Sequence, residues 1–312
     1  MEINSGAEIR EALYKGFPSV VIESDSVRLE IVPELGAKIV SLMYKPTGKE
    51  WLLDSGTRKL ESVAQASSFT DADMSGWDEC FPTIDPCVIG QGIKLPDHGE
   101  VWSLPWASEL EGNTIACSVK GVALPYRFTR KIMLLPSGTI RLAYETVNEG
   151  KEAFPFLWAA HPQFAITEPT EILVPQAMHK LLCVYGGKQL TLGEEYDLAE
   201  HKVMQPDVTG DGIKFYYPGV IPEGWSGLFG QASGNYLMIS YPVAQVPYFG
   251  LWLDKGVCND RAVCALEPGI GYYDSLARAA GNGTAKLLEP AERYAWHIDL
   301  MLGQGSLEDV MS

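Results

Sequence analysis

The chain has 312 residues, 46% of them apolar, with 24 lysines and arginines set against 40 aspartates and glutamates for a formal charge of −16. That balance repels polyanions, which argues against nucleic acid and anionic membrane as partners and leaves a neutral ligand compatible. No stretch is long and apolar enough to span a bilayer, the opening MEINSGAEIREALYKGFPSV lacks the charged start and apolar run of a secretory leader, and the six cysteines show neither a CxxC pair nor disulfide-scaffold density, so a reduced, cytoplasmic protein is expected.

Alternation of apolar and polar residues with a period of two recurs between glycine, proline and Asn/Asp turns, as in strands with one buried face. It predicts strands over Ser19–Ser24, Val27–Val32 and Ala37–Tyr44. Residues 52–100 are rich in Ser, Asp, Gly and Pro and are expected as long loops with a short helical turn; loops of this length are usually functional or flexible. Strands resume over Thr114–Lys120, Arg127–Leu135 and Thr139–Asn148, with Pro136-Ser137-Gly138 as a hairpin turn, and then over Phe154–Ala165. A second loop region is expected over 193–234, followed by strands Tyr236–Tyr241, Tyr248–Asp254, Ala262–Glu267 and Tyr294–Leu302. Helical periodicity is scarce, and neither an internal repeat nor a low-complexity linker interrupts the pattern. The expectation is an all-β sandwich of mostly antiparallel strands, one domain over 1–312.

Three separated stretches carry chemistry. Val263, Ala265 and Glu267 share a face of an apolar strand that Pro268 and the glycines at 269 and 271 are expected to end, so a carboxylate is delivered at the edge of a core. Leu157, Ala159 and His161 alternate onto one face of an apolar strand. His98 stands in a loop between Asp97 and Glu100, where Asp-His-Gly-Glu reads as a solvated turn, a substrate contact or a metal fragment, without the spacing of a strong metal signature. An imidazole acid opposite a carboxylate base moves protons on and off sugar oxygens without a cofactor. Trp77 and Phe81 flank Asp78 and Glu79, and Trp252 lies on the strand before that of Glu267; aromatic plates beside carboxylates suit the C–H faces and hydroxyl rims of sugars.

Taken in order, these residues resemble the aldose 1-epimerase (galactose mutarotase-like) superfamily over nearly the whole chain. Leu35-Gly36-Ala37-Lys38-Ile39 is similar to the family's opening strand, and Asp97-His98-Gly99 with Leu104-Pro105-Trp106 to its first histidine loop. His161-Pro162-Gln163-Phe164 resembles its His-x-Tyr-Phe motif, and Cys264 to Glu267 its late glutamate strand. The resemblance implies a β supersandwich with a groove on one sheet, His161 as acid, Glu267 as base and His98 as a second, sugar-orienting histidine; the aromatic pattern adds Trp77, Glu79 and Trp252 as expected substrate contacts, and no metal or cofactor is expected.

The departures matter too. Gln163 replaces the motif's tyrosine, the arginine that phosphosugar-acting members carry near the first histidine is missing, and so is the arginine that many relatives carry before Phe81, with Asp78 and Glu79 near that place. A free, neutral aldose is therefore the expected substrate. No motif fixes the family's substrate-binding aspartate, for which Asp197 stands in. Two alternatives remain open from sequence: a non-catalytic carbohydrate-binding or sensor protein on the same fold, and another sugar-active enzyme, a hydrolase or lyase, with Glu79 or Asp78 as a second carboxylate.

Overall fold

The structure, a computed structural model, describes residues 7–311. The period-two pattern becomes two large antiparallel sheets. The larger has 13 strands and runs in space Glu8–Tyr14, Phe17–Glu23, Val27–Val32, Lys38–Tyr44, Trp77–Cys80, Trp158–Pro162, Ala262–Ile270, Tyr248–Lys255, Asp211–Tyr216, Lys180–Tyr185, Glu195–Asp197, with Lys49–Glu50 and Phe164–Ala165 attached beside that path. The nine-stranded sheet runs Val203–Met204, Thr170–Leu173, Trp225–Gly230, Asn235–Ser240, Arg293–Gln304, Ile140–Asn148, Tyr126–Leu134, Thr114–Lys120, Ala107–Glu111. This is the all-β architecture read from the sequence. No helix among the described residues is long and apolar enough to cross a membrane.

The two sheets are buried differently, and the difference positions the site. In the smaller sheet, Tyr126–Leu134 alternates buried and half-buried residues without a break, so one face meets the core and the other water. The turn at Pro136-Ser137-Gly138 forms as expected, closed by Leu135 N–H donating to Thr139 O at 2.8 Å, with Gly138 at φ +82° where a side chain would be strained. Inward residues of this sheet, among them Phe128, Tyr144 and Trp296, join Trp158 of the larger sheet in an aromatic core. Each such side chain, fully buried, contributes roughly 1.5–3 kcal/mol. The central strand of the larger sheet, by contrast, is buried along all nine residues of Ala262–Ile270. One of its faces rests on the smaller sheet. Over the other face of the sheet stand Phe69, Met74 and Trp102, a small apolar cluster of its own, with the Phe69 ring meeting His161 edge-on at 4.9 Å.

Both expected loop regions hold strands. Trp77–Cys80 enters the middle of the larger sheet, and Cys87–Ile89 pairs with Ile93–Leu95, while the expected helical turn is the 3-10 turn Phe69–Asp71. Asp211–Tyr216 and Trp225–Gly230 lie within 193–234. The reason is burial on both sides: Trp-Asp-Glu-Cys is buried at every position and leaves no alternation to read. The expected strand Phe154–Ala165 breaks into Phe154–Phe156, Trp158–Pro162 and Phe164–Ala165, and the strand of Glu267 runs through Pro268 to Ile270. Its pairing on the His161 side lapses between Phe164↔Cys264 and Ala159↔Gly269, and Pro268, which has no N–H to give, sits in that lapse.

Candidate active site

Register decides which side chains meet, because neighbours across a sheet point the same way. His161 pairs with Asp78 and Ala159 with Cys80. On the other side Ala159 pairs with Gly269, Glu267 with Gly250, and Ala265 with Trp252. Beyond these, Gly250 pairs with Tyr216 and Trp252 with Lys214. One face of the larger sheet therefore presents, strand by strand, Asp78 and Cys80, His161, Glu267, Trp252, then Lys214 and Tyr216. Gly250 makes the centre possible: a Cβ there would stand 2.9 Å from Glu267 Oε2 and 3.3 Å from the Tyr216 ring.

The roof supplies the second histidine. His98 has φ +56°, an unusual conformation that histidine adopts more readily than bulkier or branched residues, and the following Gly99 cannot carry a Cβ because Phe81 O would lie 2.1 Å from it. His98 N–H donates to Ile84 O at 2.6 Å, and its Nδ1 lies 2.9 Å from Asp97 Oδ1. Asp97 in turn accepts the Phe69 N–H at 2.8 Å, and the Phe69 ring stacks on the His98 imidazole at 4.2 Å. The His98 and His161 rings meet edge to face at 4.8 Å.

Between roof and sheet lies a cavity of about 380 Å³ lined by His98, His161, Glu267, Lys214, Trp252 and Asp274, among others. His161 Nε2 is 3.9 Å from Glu267 Oε1 in surroundings where the two residues are only 6% and 2% exposed. Lys214 Nζ lies 3.0 Å from Glu267 Oε2 and 2.7 Å from Asp274 Oδ1, which also accepts the Tyr216 hydroxyl at 2.7 Å. The contact with Asp274 is a hydrogen bond; that with Glu267 is ionic and poorly angled, so neither Glu267 oxygen has a well-formed hydrogen bond.

Burial dominates the charge states. It raises the Glu267 carboxyl above the usual carboxylate range, with Lys214 pulling the other way and Asp274 adding to the rise. It pushes His161 well below the ordinary imidazole value, helped by the positive charges of His98, Lys214 and Lys38. Lys214 stays an ammonium because its two carboxylates outweigh its own burial. Asp78 is raised to about 6 by burial, against the pull of Lys38 at 2.9 Å.

Of the residues singled out from sequence, His161, Glu267, His98 and Trp252 line this one cavity. Trp77 and Glu79 do not. They point to the opposite face of their strand, into the core between the sheets: Trp77 packs edge-on against Phe164, and Glu79 is bound by Arg130, Tyr144 and Trp158. The alternation within Trp77–Cys80 puts Asp78 and Cys80, not their neighbours, on the site face. Asp197 lies elsewhere as well, its carboxylate accepting Ala199 N–H at the start of a 3-10 turn. Lys214, Tyr216, Asp274 and Phe69 were missed. The alternation of Ile213 and Phe215 against Lys214 and Tyr216 was available in the sequence as a signal for the first two; nothing comparable marks Asp274 or Phe69.

No protein-family model matches the chain, and no curated protein matches it significantly. Solved structures do match. A candidate aldose 1-epimerase from Klebsiella pneumoniae superposes with a TM-score of 0.75 at 16% identity, over 99% of this chain and 91% of that one. A galactose mutarotase-like protein from Lactobacillus casei gives 0.68 at 14% identity, over 91% and 100%. A galactose mutarotase related enzyme from Lactobacillus acidophilus gives 0.68 at 14%, over 93% and 98%. The chain thus has the galactose mutarotase-like fold, as the sequence motifs led us to expect.

Proposed function

We propose that the protein binds a free, neutral aldose in this cavity and interconverts its anomers by opening and closing the ring. The observation that carries the reading is the pair His161 and Glu267, an imidazole and a carboxyl 3.9 Å apart, both buried and both facing the cavity. In opening, Glu267 takes the proton of the anomeric hydroxyl while His161 gives one to the ring oxygen. Rotation about C1–C2 presents the other carbonyl face, and closing returns both protons. One turnover therefore cycles the pair between carboxylate with imidazolium and carboxyl with imidazole. Burial favours the second form, from which the ring closes; the ammonium of Lys214 favours the carboxylate, from which it opens. Positioned acid and base groups each contribute around 10²- to 10⁴-fold, enough for a reaction that also runs unaided, and proton transfer needs no metal or nucleotide.

Trp252 offers its ring to an apolar sugar face, and His98, fixed by Asp97 and Phe69, orients a hydroxyl. The substrate class follows from charge. Lys214 faces the cavity already held by Glu267 and Asp274, which leaves a phosphate dianion no uncommitted lysine and brings it close to both carboxylates. With six free cysteines, none paired in a disulfide, we place the protein in a reducing compartment, the cytoplasm. The test is anomer exchange on a panel of freshly dissolved aldoses, followed by polarimetry and exchange NMR with a chelator present. Acceleration for at least one neutral aldose is expected. Binding without acceleration across the panel would make the protein a sugar sensor instead, and tighter binding of a hexose 6-phosphate than of its parent sugar would overturn the substrate class.

A further inference from the structure

Cys80 stands on the site face and has no part in the proposed sugar chemistry. It is fully buried, and register makes it a diagonal neighbour of His161 on the same face, since Cys80 pairs with Ala159 and Asp78 with His161. One donor atom each from Cys80, His98 and His161 lie within 4.8 Å of one another. We propose that these three residues, completed by Glu267 Oε1, bind a thiophilic divalent cation of the Zn²⁺ type, and that the bound cation switches the sugar site off. The cation site stands on geometry alone; the switching rests on the proposed function.

The donors are poised for such an ion. A tetrahedral zinc has bonds of about 2.0–2.3 Å, which sets its donors roughly 3.3–3.8 Å apart, so side-chain rotations of about 1 Å close the cluster. Asp97 Oδ1 at 2.9 Å from His98 Nδ1 can hold the proton there and leave Nε2 as a lone pair, the carboxylate–histidine arrangement that orients metal-ligating imidazoles. Beside His161, Gln163 has its amide nitrogen 3.4 Å from Nδ1 while its Oε1 has no partner. Turning that amide over lets Oε1 accept from Nδ1–H and frees Nε2 of His161 in the same way. Glu267 divides its two oxygens: Oε2 meets Lys214 and Oε1 faces His161 Nε2. Thiolate and carboxylate together neutralise a dication, which a buried site requires, and the mixed N and S donors select zinc over magnesium or calcium. On binding, the Cys80 S–H bond breaks and a sulfur–metal bond forms, and two protons leave to solvent, that of the thiol and the one shared by His161 and Glu267, with no change in oxidation state. The ion would then sit on His161 Nε2 and Glu267 Oε1, the atoms that carry the sugar's protons, so metal and turnover exclude each other.

The test uses Co²⁺ as a coloured probe on chelator-stripped protein. One equivalent is expected to give intense visible bands of tetrahedral cobalt and a near-ultraviolet sulfur-to-metal charge-transfer band, all displaced by Zn²⁺. Cys80→Ser should lose the charge-transfer band, retain anomer exchange without metal, and need at least tenfold more Zn²⁺ for half-inhibition than the unaltered chain. The charge-transfer band of the unaltered protein is a measurement that does not depend on the variant folding. Absence of the charge-transfer band, or its persistence in Cys80→Ser, would overturn the cation site. Anomer exchange that persists in protein saturated with one equivalent of Zn²⁺ would overturn the switch. A charge-transfer band in a protein that exchanges no sugar would instead strike the proposed function and leave the cation site standing.

Discussion

Glu79 and Glu267 are both buried carboxylates on strands of the same sheet, and they face opposite ways. Glu79 looks into the core between the sheets, where Oε1 accepts from Arg130 Nη1 at 2.8 Å and Tyr144 OH at 2.9 Å, and Oε2 from Trp158 Nε1 at 2.8 Å. Glu267 looks into the cavity with no well-formed hydrogen bond, steadied by the ammonium of Lys214. Burial raises both carboxyls. What separates them is satisfaction: a buried charge whose partners are complete holds two layers together, while one whose oxygens are open has room for a proton or a ligand.

The sharpest way to break this contrast is to exchange the two fates. Removing the carboxylate in Glu79→Ala strands Arg130 in the core and is expected to cost about 3–5 kcal/mol of stability, read by denaturant unfolding. A cost within experimental error of zero would mean that the pair does not bind the sheets. Glu267→Gln, by contrast, is expected to leave the unfolding midpoint nearly unchanged while anomer exchange falls about 100-fold or more, with sugar affinity little altered. His161→Asn should behave alike, and His98→Asn should weaken binding as well as rate. Near-normal exchange in a folded Glu267→Gln protein would remove the proposed base.

Lys214 sharpens the contrast further, because the cation beside Glu79, Arg130, is sealed in the core, whereas Lys214 lines the cavity. The productive forms hold one proton between His161 and Glu267, so the active window is bounded below by His161 gaining a proton and above by Glu267 losing one. Besides each other, the charged or ionisable groups acting on the pair include Lys214, Asp274, His98, Lys38, the Tyr216 hydroxyl and the thiols of Cys80 and Cys264. The Lys214 ammonium lowers both members. Lys214→Met should therefore move both edges of the kcat/KM profile to higher pH under chelation; an upper edge that stays in place would show that Lys214 does not act through Glu267. Smaller still, Trp252→Ala is expected to raise KM by about 5- to 10-fold with kcat retained, roughly 1 kcal/mol of lost stacking. Asp197→Ala should change neither parameter beyond about twofold, since its carboxylate caps a remote turn.

Much of the site was legible because its key residues sit in strands with one readable face. His161 and Glu267 stood out as polar residues in apolar strands, and the fold class followed from period-two patterning. Trp77 and Glu79 failed for a related reason. With Trp77–Cys80 hidden as an apparent loop, no register was available to tell which of four consecutive buried residues faces the cavity. Lys214 was lost in the same way inside 193–234. Asp274 could not be found from local pattern at all: its backbone carbonyl accepts from Ile84 and Asp85, so its place is set by contacts almost two hundred residues away in the chain.

The roof over the sheet has a consequence of its own. Phe69, which stacks on His98, belongs to a small cluster with Met74 and Trp102, whereas the strands of His161 and Glu267 belong to the main core. The two halves of the site therefore belong to regions of unequal local stability, and segments with few buried contacts open at far lower free energy than the molecule melts. On warming, the roof should lift first. Sugar would then lose its orienting histidine while the acid–base pair stayed in place, so the protein would become a poor binder some degrees before it became an unfolded one.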